Sequence, residues 1–256
     1  MSRWIRIVHD RQPRFGLLEG DIIQLCSGEM FSSPEATGET VPLASATLLP
    51  PVEPRQFLGL WNNLEQRRIA ENNFTPQFPL WFVKLPTCVI ASGTEITRPP
   101  SFSGKVKFEA ELGVVIGKEC FDVSTDEVDD YIFGYTCVND VTAPETLFEE
   151  EGFTHWCRAK SYRSFGPIGP VIATGVDPDT LRVMGILDGE TLQDYPVSDM
   201  IFGPRQIVSM ISREVTLLPG DVIACGTSLG ASDMEPGQTI EILIEGIGSL
   251  QNRYAG

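Results

Sequence analysis

Residues 107–117 read KFEAELGVVIG, a strand-like segment that carries two glutamates two positions apart. Side chains in a strand alternate between two faces, so Glu109 and Glu111 share one face, and every residue on the opposite face, from Phe108 to Ile116, is apolar. Two like charges side by side cost free energy through repulsion and desolvation unless a cation or a proton compensates. The pattern therefore predicts either a cation beside the two glutamates or an edge strand whose second face is open to water.

The chain has 256 residues, of which 42% are hydrophobic, so it can bury one substantial core with a small appended module. No apolar run approaches the ~20 residues needed to cross a bilayer, and the opening sequence MSRWIRIVHD lacks the apolar stretch of a signal peptide. Six cysteines are spread along the chain without a C-x-x-C pair, which indicates reduced and mostly buried thiols. We therefore expect a globular, cytoplasmic protein.

The formal net charge of -16 at pH 7 bears on the partners of the protein. A field of this sign repels polyanions, so we expect no binding to nucleic acid or to anionic membrane. The same field attracts divalent cations, and a metal ion with a few local arginines can reverse the sign inside one pocket. The net charge therefore still allows an anionic small molecule as substrate.

Residues 1–53 are predicted to form a small β-rich module, with the boundary to the main domain near Pro54. The segments WIRIVHD and RFGLLEGDIIQL read as short strands, the second containing a Glu-Gly turn. The stretch from Cys26 to Pro54 is rich in Ser, Thr, Pro and Glu, which predicts connecting loops with room for a short strand. Residues 54–256 then form the main domain.

The main domain is dominated by strand patterns, which predicts a mixed, β-rich α+β fold. LWFVKL reads as a strand, the pair Asp188-Gly189 marks a hairpin, and two Pro-Gly turns open further strands. Helices are predicted from about 124 to 132 and over 204–213. A further helical segment, NNLEQRRIAENN at 62–73, has few apolar anchors, so it is either a movable lid or a thinly anchored surface helix.

A third carboxylate joins the two glutamates of the opening segment. The apolar run YIFGYTCVND ends at Asp140, which should therefore lie at a strand end. Oxygen ligands suit Mg²⁺, Mn²⁺ or Ca²⁺, and the chain has only two histidines, so a zinc site is a poor match. Lys160, further along the chain, is either a surface lysine or a group that neutralises excess charge and hydrogen-bonds an enolate oxygen.

Several motifs in a fixed order resemble one known family. They are EAELGVVIG, GYTCVNDVT, KSYRSFGPIGP, LxPGDVIxxGT and EPGQTIxIxIEGIG, and together they span roughly the last four fifths of the chain. In this order they are similar to the fumarylacetoacetate hydrolase (FAH) superfamily. The resemblance implies a fold built around a β-roll, a homodimer, and one Mg²⁺ or Mn²⁺ ion held by three carboxylates.

The same resemblance assigns roles to residues that match the family motifs. The metal ligands would be Glu109, Glu111 and Asp140, and Lys160 matches the lysine beside the metal. Thr227 falls in the Gly-Thr motif that lines the pocket, and Gln193 aligns with a glutamine that contacts substrate. The cation predicted by the opening segment would then be the metal ion.

Within the family, two segments resemble the decarboxylase/isomerase of homoprotocatechuate degradation, a subgroup that binds 2-oxo acids with a second carboxylate. They are NNLEQRRIAENNFTPQFPLWFVKL and NDVTAPETLF. The chain departs from hydrolytic members at four positions. Glu65 stands in place of a lid histidine, Arg68 in place of the acid that orients it, Pro144 in place of an arginine, and Arg163 where an aspartate is frequent. These departures argue against hydrolysis of a C–C bond by activated water.

Decarboxylation and keto-enol isomerisation make fewer demands, because a metal-stabilised enolate forms without activated water. Glu65 would be the proton carrier, or else an exposed helix residue, and Arg67, Arg68 and Arg163 are candidates to bind a substrate carboxylate. We therefore expect a metal-dependent enzyme acting on a 2-oxo acid or 1,3-dicarbonyl acid. The alternatives are a C–C hydrolase of an acylpyruvate or a fumarylacetoacetate-like substrate, and an inactive family member that acts as a binding protein.

Overall fold

The computed structural model describes residues 1–256, and its regular structure is eighteen β-strands with four short α-helices. The strands of the first half are β1 (Ser2–His9), β2 (Gln12–Glu19), β3 (Ile22–Glu29), β4 (Ser33–Pro42), β5 (Thr47–Leu49), β6 (Phe57–Trp61), β7 (Leu80–Lys84), β8 (Val89–Ile90), β9 (Lys107–Phe108) and β10 (Ala110–Ile116). The remaining strands are β11 (Ile132–Asn139), β12 (Gly166–Thr174), β13 (Arg182–Leu187), β14 (Glu190–Pro196), β15 (Val222–Ala224), β16 (Ser232–Asp233), β17 (Thr239–Ile244) and β18 (Gly248–Arg253). The helices are α1 (Glu65–Ala70), α2 (Pro144–Leu147), α3 (Trp156–Lys160) and α4 (Pro204–Ser212).

One large sheet organises the molecule. Its twelve strands follow the order β4-β3-β2-β1-β12-β11-β10-β15-β6-β7, with β5 paired to β1 and β8 paired to β12. A second sheet has the order β14-β13-β17-β18, and β9 pairs with β16. The mixed, β-rich fold of the predicted family is confirmed. The N-terminal strands continue the large sheet through β1 and β12, and the division into residues 1–53 and 54–256 stays a prediction.

The prediction of loops for the stretch from Cys26 to Pro54 was wrong over its first part, although the short strand predicted there is present as β5. β3 runs to Glu29, and the ten-residue β4 follows it. β4 lies at the end of the sheet order, and nearly all of its residues are exposed. The polar composition reflects an edge strand whose two faces are exposed to solvent. Sequence alone does not distinguish such a strand from a loop.

Several other predicted elements are confirmed, and two differ in extent. The hairpin of β13 and β14 and the helix α4 lie where their patterns place them. The segment 124–132 forms only a 3₁₀ turn at Val128–Asp130, although Ser124 does donate a hydrogen bond to Glu127. The helix predicted within residues 62–73 shortens to α1, where Leu64 at its start is buried but Ile69 is 61% exposed.

The opening segment lies in the middle of the large sheet. β10 pairs with β11 on one side and β15 on the other, and all seven of its residues are buried, which excludes the edge-strand alternative. The apolar face predicted from alternation packs into a cluster of 43 buried residues, and Val115 of the opposite face belongs to a second cluster of ten. Glu109 interrupts the strand between β9 and β10.

The helices are short, and most of the cysteines lie in the interior. The longest helix has nine residues, and none of the four combines the length and apolar character that crossing a bilayer requires. Five of the six cysteines are buried and Cys157 is exposed, in line with the prediction of mostly buried thiols.

Replacing Val114, fully buried in β10, with alanine is expected to lower the free energy of unfolding by about 2 kcal/mol, because two methyl groups leave a packed core. The matched control is Val8→Ala in β1, where the side chain is 39% exposed and the loss should be well below that. Urea denaturation of both variants measures the difference. Equal losses would contradict the central position assigned to β10.

Candidate functional site

Three carboxylates converge at one end of β10 and β11. The antiparallel register sets Ala110 opposite Asn139, so Glu109 and Glu111 flank the point where β11 ends and Asp140 begins the next loop. One carboxylate oxygen from each of the three acids lies within 4.8 Å of the other two. All three side chains are buried. The acids predicted to bind metal are therefore brought together in the interior.

Two buried lysines compensate part of this charge. The Lys160 Nζ, at the end of α3, lies 2.5 Å from Glu109 Oε2 and 2.5 Å from Asp140 Oδ2. The Lys84 Nζ, at the end of β7, lies 2.6 Å from Asp140 Oδ1. Asp140 thus bridges two ammonium groups, and these outweigh the effect of burial, so its pKa falls below the usual range.

Lys84 was not predicted from the sequence. It is fully buried, and besides its ion pair it donates hydrogen bonds to the carbonyls of Lys160 and Phe165. The available signal was a charged residue closing the apolar strand LWFVKL, the same kind of anomaly that singles out Glu109 and Glu111. The residues that accept its hydrogen bonds lie 76 and 81 positions away along the chain, so no local sequence pattern identifies them.

Glu111 is the acid that no side-chain cation neutralises. Its Oε2 accepts a hydrogen bond from the Gly226 N–H at 2.7 Å, and no lysine or arginine lies within ion-pair distance. Burial first, and the nearby charge of Asp140 second, raise the pKa of Glu111 well above its usual value. A divalent cation held by three carboxylates would relieve this cost, and hard oxygen ligands are those that Mg²⁺ and Mn²⁺ prefer. The residues present therefore fit such an ion.

The strand that carries the glutamates is held by side chains from other elements. Gln193 of β14 accepts a hydrogen bond from Ala110 N–H and donates to Thr227 Oγ1, both at 2.9 Å. Thr227 and Tyr195 hydroxyls donate to the Ala110 carbonyl at 2.9 and 2.7 Å. Gln193 is fully buried, so in this structure it positions the strand and the Thr227 loop. Its predicted contact with substrate stays a prediction.

A cavity of about 120 Å³ opens beside Glu109, which is the one of the three carboxylates in its lining. Its polar lining includes Glu109, Lys160 and Thr227 together with Arg67 of α1. Burial alone would lower the pKa of Arg67, but the charges of Glu109 and Glu71 raise it, so the guanidinium stays charged. Further lining residues are Leu60, Trp61, Asn62, Phe82, Lys107, Thr142, Pro144, Leu147 and Trp156. Of the three arginines predicted to bind a substrate carboxylate, only Arg67 lines the cavity.

Glu65, Arg68 and Arg163 lie elsewhere in this structure. Glu65 and Arg68 are three residues apart on one side of α1, and their paired atoms are 2.7 Å apart. Arg68 thereby lowers the pKa of Glu65, whereas a proton carrier needs the pKa raised. Arg163 is exposed and does not line the cavity. The predicted roles of these three residues stay predictions.

Comparison with known proteins places the chain in a family. The model described as "Fumarylacetoacetate (FAA) hydrolase C-terminal" matches residues 57–255, and the model described as "Rv2993c-like, N-terminal" matches residues 2–51. The chain belongs to the fumarylacetoacetate hydrolase family. This confirms the family identified from the sequence motifs.

Similar proteins cover nearly the whole FAH-family chain. An uncharacterized protein of Archaeoglobus fulgidus is 40% identical over 215 residues, which is 84% of each chain. The crystal structure of 2-hydroxyhepta-2,4-diene-1,7-dioate isomerase from Mycobacterium marinum has a TM-score of 0.91 at 35% identity, covering 100% of this chain and 98% of that one. The structure of 5-carboxymethyl-2-hydroxymuconate delta-isomerase from Mycobacterium smegmatis has a TM-score of 0.91 at 32% identity, covering 99% of both. Family and neighbours together support an enzyme of the FAH type.

Replacing Lys84 with methionine is expected to lower the free energy of unfolding by about 3–5 kcal/mol, because removing one partner of a buried ion pair leaves charge and carbonyls unsatisfied. The control is Lys118→Met, an exposed lysine whose replacement should change stability little. Denaturant unfolding compares the two. Similar small losses for both variants would contradict the role given to Lys84.

Replacing Glu111 with glutamine is expected to abolish stabilisation by metal without destabilising the metal-free protein. The amide oxygen can still accept from Gly226, while the uncompensated buried charge is gone. Thermal unfolding with and without Mn²⁺ is the measurement, since a bound ion raises the midpoint. Glu119→Gln, an exposed glutamate just beyond the same strand, should retain the wild-type Mn²⁺ shift. A full shift in the Glu111→Gln variant would count against the metal site.

Proposed function

We propose that this protein is a Mg²⁺- or Mn²⁺-dependent enzyme that decarboxylates or isomerises a 2-oxo acid or 1,3-dicarbonyl acid. The observation that supports it most is the buried group of Glu109, Glu111 and Asp140, in which Glu111 has no side-chain cation of its own. A bound divalent ion would supply positive charge that favours the enolate of a 2-oxo acid. In this proposal the three acids are the ligands.

Lys160 is the candidate catalytic cation in the cavity. Burial opposes its charge, but Asp140 and Glu109 raise its pKa above the usual lysine value, so it is protonated at neutral pH. A permanently protonated lysine is a poor base but stabilises negative charge that develops on a substrate oxygen. Arg67 and Thr227, also in the cavity lining, are proposed to bind the carboxylate of the substrate.

Both proposed reactions balance without activated water. In decarboxylation, the bond to the departing carboxylate breaks, its electron pair becomes the enolate, and a proton then adds to carbon. In isomerisation, a proton leaves one carbon and returns at another position. Glu65 is proposed as the proton carrier, which requires α1 to move so that the ion pair between Glu65 and Arg68 opens.

The choice of these reactions over hydrolysis is supported in two ways. The similar structures from Mycobacterium marinum and Mycobacterium smegmatis are named as isomerases. The lid also lacks a histidine: the two histidines of the chain are His9, in β1, and His155, just before α3, and neither lines the cavity. Hydrolysis of an acylpyruvate stays the second candidate because the family model that matches the chain is a hydrolase model.

The protein is further proposed to act as a homodimer on small molecules, with no nucleic acid or membrane as partner. The side chains of Phe148 and Phe153, five positions apart in the chain, are 74% and 64% exposed. Apolar surface of this kind is commonly covered by another chain. The net charge of -16 supports the exclusion of polyanions.

The purified protein is expected to consume oxaloacetate or isomerise an unsaturated 2-oxo diacid only when Mg²⁺ or Mn²⁺ is present. Lys160→Met should lower kcat by at least about a hundredfold, because a charge that stabilises the transition state is lost. Lys118→Met serves as the matched control, and product analysis shows which bond has changed. Cleavage of an acylpyruvate alone would favour the hydrolase alternative. Metal binding without any turnover of the three substrates would favour a binding protein.

A further inference from the structure

An apolar groove of about 480 Å³ lies next to the carboxylate cavity. We refer to it as the aromatic groove, and it is lined by Trp61, Phe74, Pro79, Leu80, Trp81, Phe82 and Trp156. No charged side chain is among these residues. Three of the four tryptophans of the chain are in this lining, so the groove concentrates a type of side chain that is scarce elsewhere.

The aromatic groove and the cavity share a wall. Trp61, Phe82 and Trp156 line both spaces. The rings of Phe82 and Trp156 are stacked with centroids 5.1 Å apart, and Trp61 lies 6.0 Å from Trp156. The Lys160 Nζ is 5.2 Å from the centroid of the Phe82 ring. A molecule whose head group binds at the carboxylate and lysine site therefore has this aromatic layer beside it.

The two spaces differ in size and character. The cavity of about 120 Å³ is smaller than the pockets of roughly 300–1,000 Å³ that usually enclose whole ligands, whereas the groove of about 480 Å³ falls inside that range. The cavity holds the charged groups, and the groove holds none. A substrate larger than a short 2-oxo acid must extend beyond the cavity, and the aromatic groove is an adjoining space that shares three lining residues with it.

We propose that the aromatic groove binds an apolar alkyl or aryl end of the substrate, so that the substrate class is a 2-oxo or 1,3-dicarbonyl acid with a hydrophobic tail. This rests on the proposed function, and it departs from the expectation of a second carboxylate taken from the resembling subgroup. A carboxylate placed in the groove would lose its hydration without meeting a cation. An apolar tail would instead cover Phe74, which is 62% exposed and lies 6.2 Å from Trp61 between ring centroids.

Tryptophan emission tests the groove directly, because Trp61, Trp81 and Trp156 line it and only Trp4 lies elsewhere, against Phe15 and Phe133. The Mn²⁺-loaded protein is titrated with pyruvate, 2-oxoglutarate and 2-oxo-4-phenylbutanoate. The phenyl compound should bind at least about tenfold more tightly than 2-oxoglutarate and change the emission, since a buried ring adds apolar area. Equal affinities, or tighter binding of 2-oxoglutarate, would overturn the proposal.

Two phenylalanine variants provide a matched comparison. Phe74 and Phe121 are each 62% exposed, and only Phe74 lines the aromatic groove. Phe74→Ala should lower the affinity ratio of the phenyl compound to pyruvate roughly fivefold, because part of the ring's apolar contact is lost. Phe121→Ala should leave that ratio at the wild-type value. An equal change in both variants would overturn the proposal.

Two further readouts separate this inference from its alternatives. Metal-dependent turnover of oxaloacetate is measured on the same samples. If oxaloacetate is turned over but the phenyl compound binds no more tightly than 2-oxoglutarate, the groove inference is wrong and the proposed function stands. If the phenyl compound binds more tightly but oxaloacetate is not turned over, the groove inference is supported and the proposed function is wrong. Emission that changes with protein concentration in the absence of ligand would show that a second copy covers the groove, which also overturns the inference.

Discussion

The structure depends on the burial of three carboxylates in one place. Mutual repulsion and loss of hydration make such a group unfavourable unless positive charge is supplied from close by. Lys84 and Lys160 supply it to Asp140 and Glu109, and they come from β7 and α3, which are far apart in sequence. Glu111 has no lysine or arginine partner, and this uncompensated acid makes the site suited to a cation from solution.

The second constraint is the register of β10. Ala110 has its N–H and its carbonyl bonded to Gln193, Tyr195 and Thr227, which come from β14 and from the loop after β15. A shift of one residue would turn both glutamates toward the opposite, apolar face. Side chains of the second sheet thus fix the direction in which the acids of the first sheet point. Residues outside the cavity therefore help to position the acids of the site.

Sequence reasoning located the acids because their chemistry conflicts with their surroundings. Alternation places Glu109 and Glu111 on one face of an apolar strand, the end of an apolar run places Asp140 at a strand end, and the pair Asp188-Gly189 marks the hairpin. The family resemblance was needed to join the three acids into one metal site. Sequence reasoning could not tell the edge strand β4 from a loop, because exposed strands and loops share a polar composition.

Tertiary contacts account for what sequence reasoning missed in the site. The burial of Lys84 is decided by partners 76 and 81 residues away, which a linear pattern does not specify. The aromatic layer of Trp61, Phe82 and Trp156 was missed for the same reason, since these residues come from β6, β7 and α3. Each of these residues has an ordinary local context, and only the fold brings them together.

The span of these contacts has a consequence during protein synthesis. The bond from Gly226 to Glu111 joins residues 115 positions apart, and Gln56 reaches Asp221 across 165 positions. Contacts this remote form slowly because the intervening chain must first be ordered. A growing chain on the ribosome therefore lacks the Gly226 and Thr227 contacts to its acidic strand until about 227 residues have emerged, and incompletely packed strands of this kind are prone to aggregation.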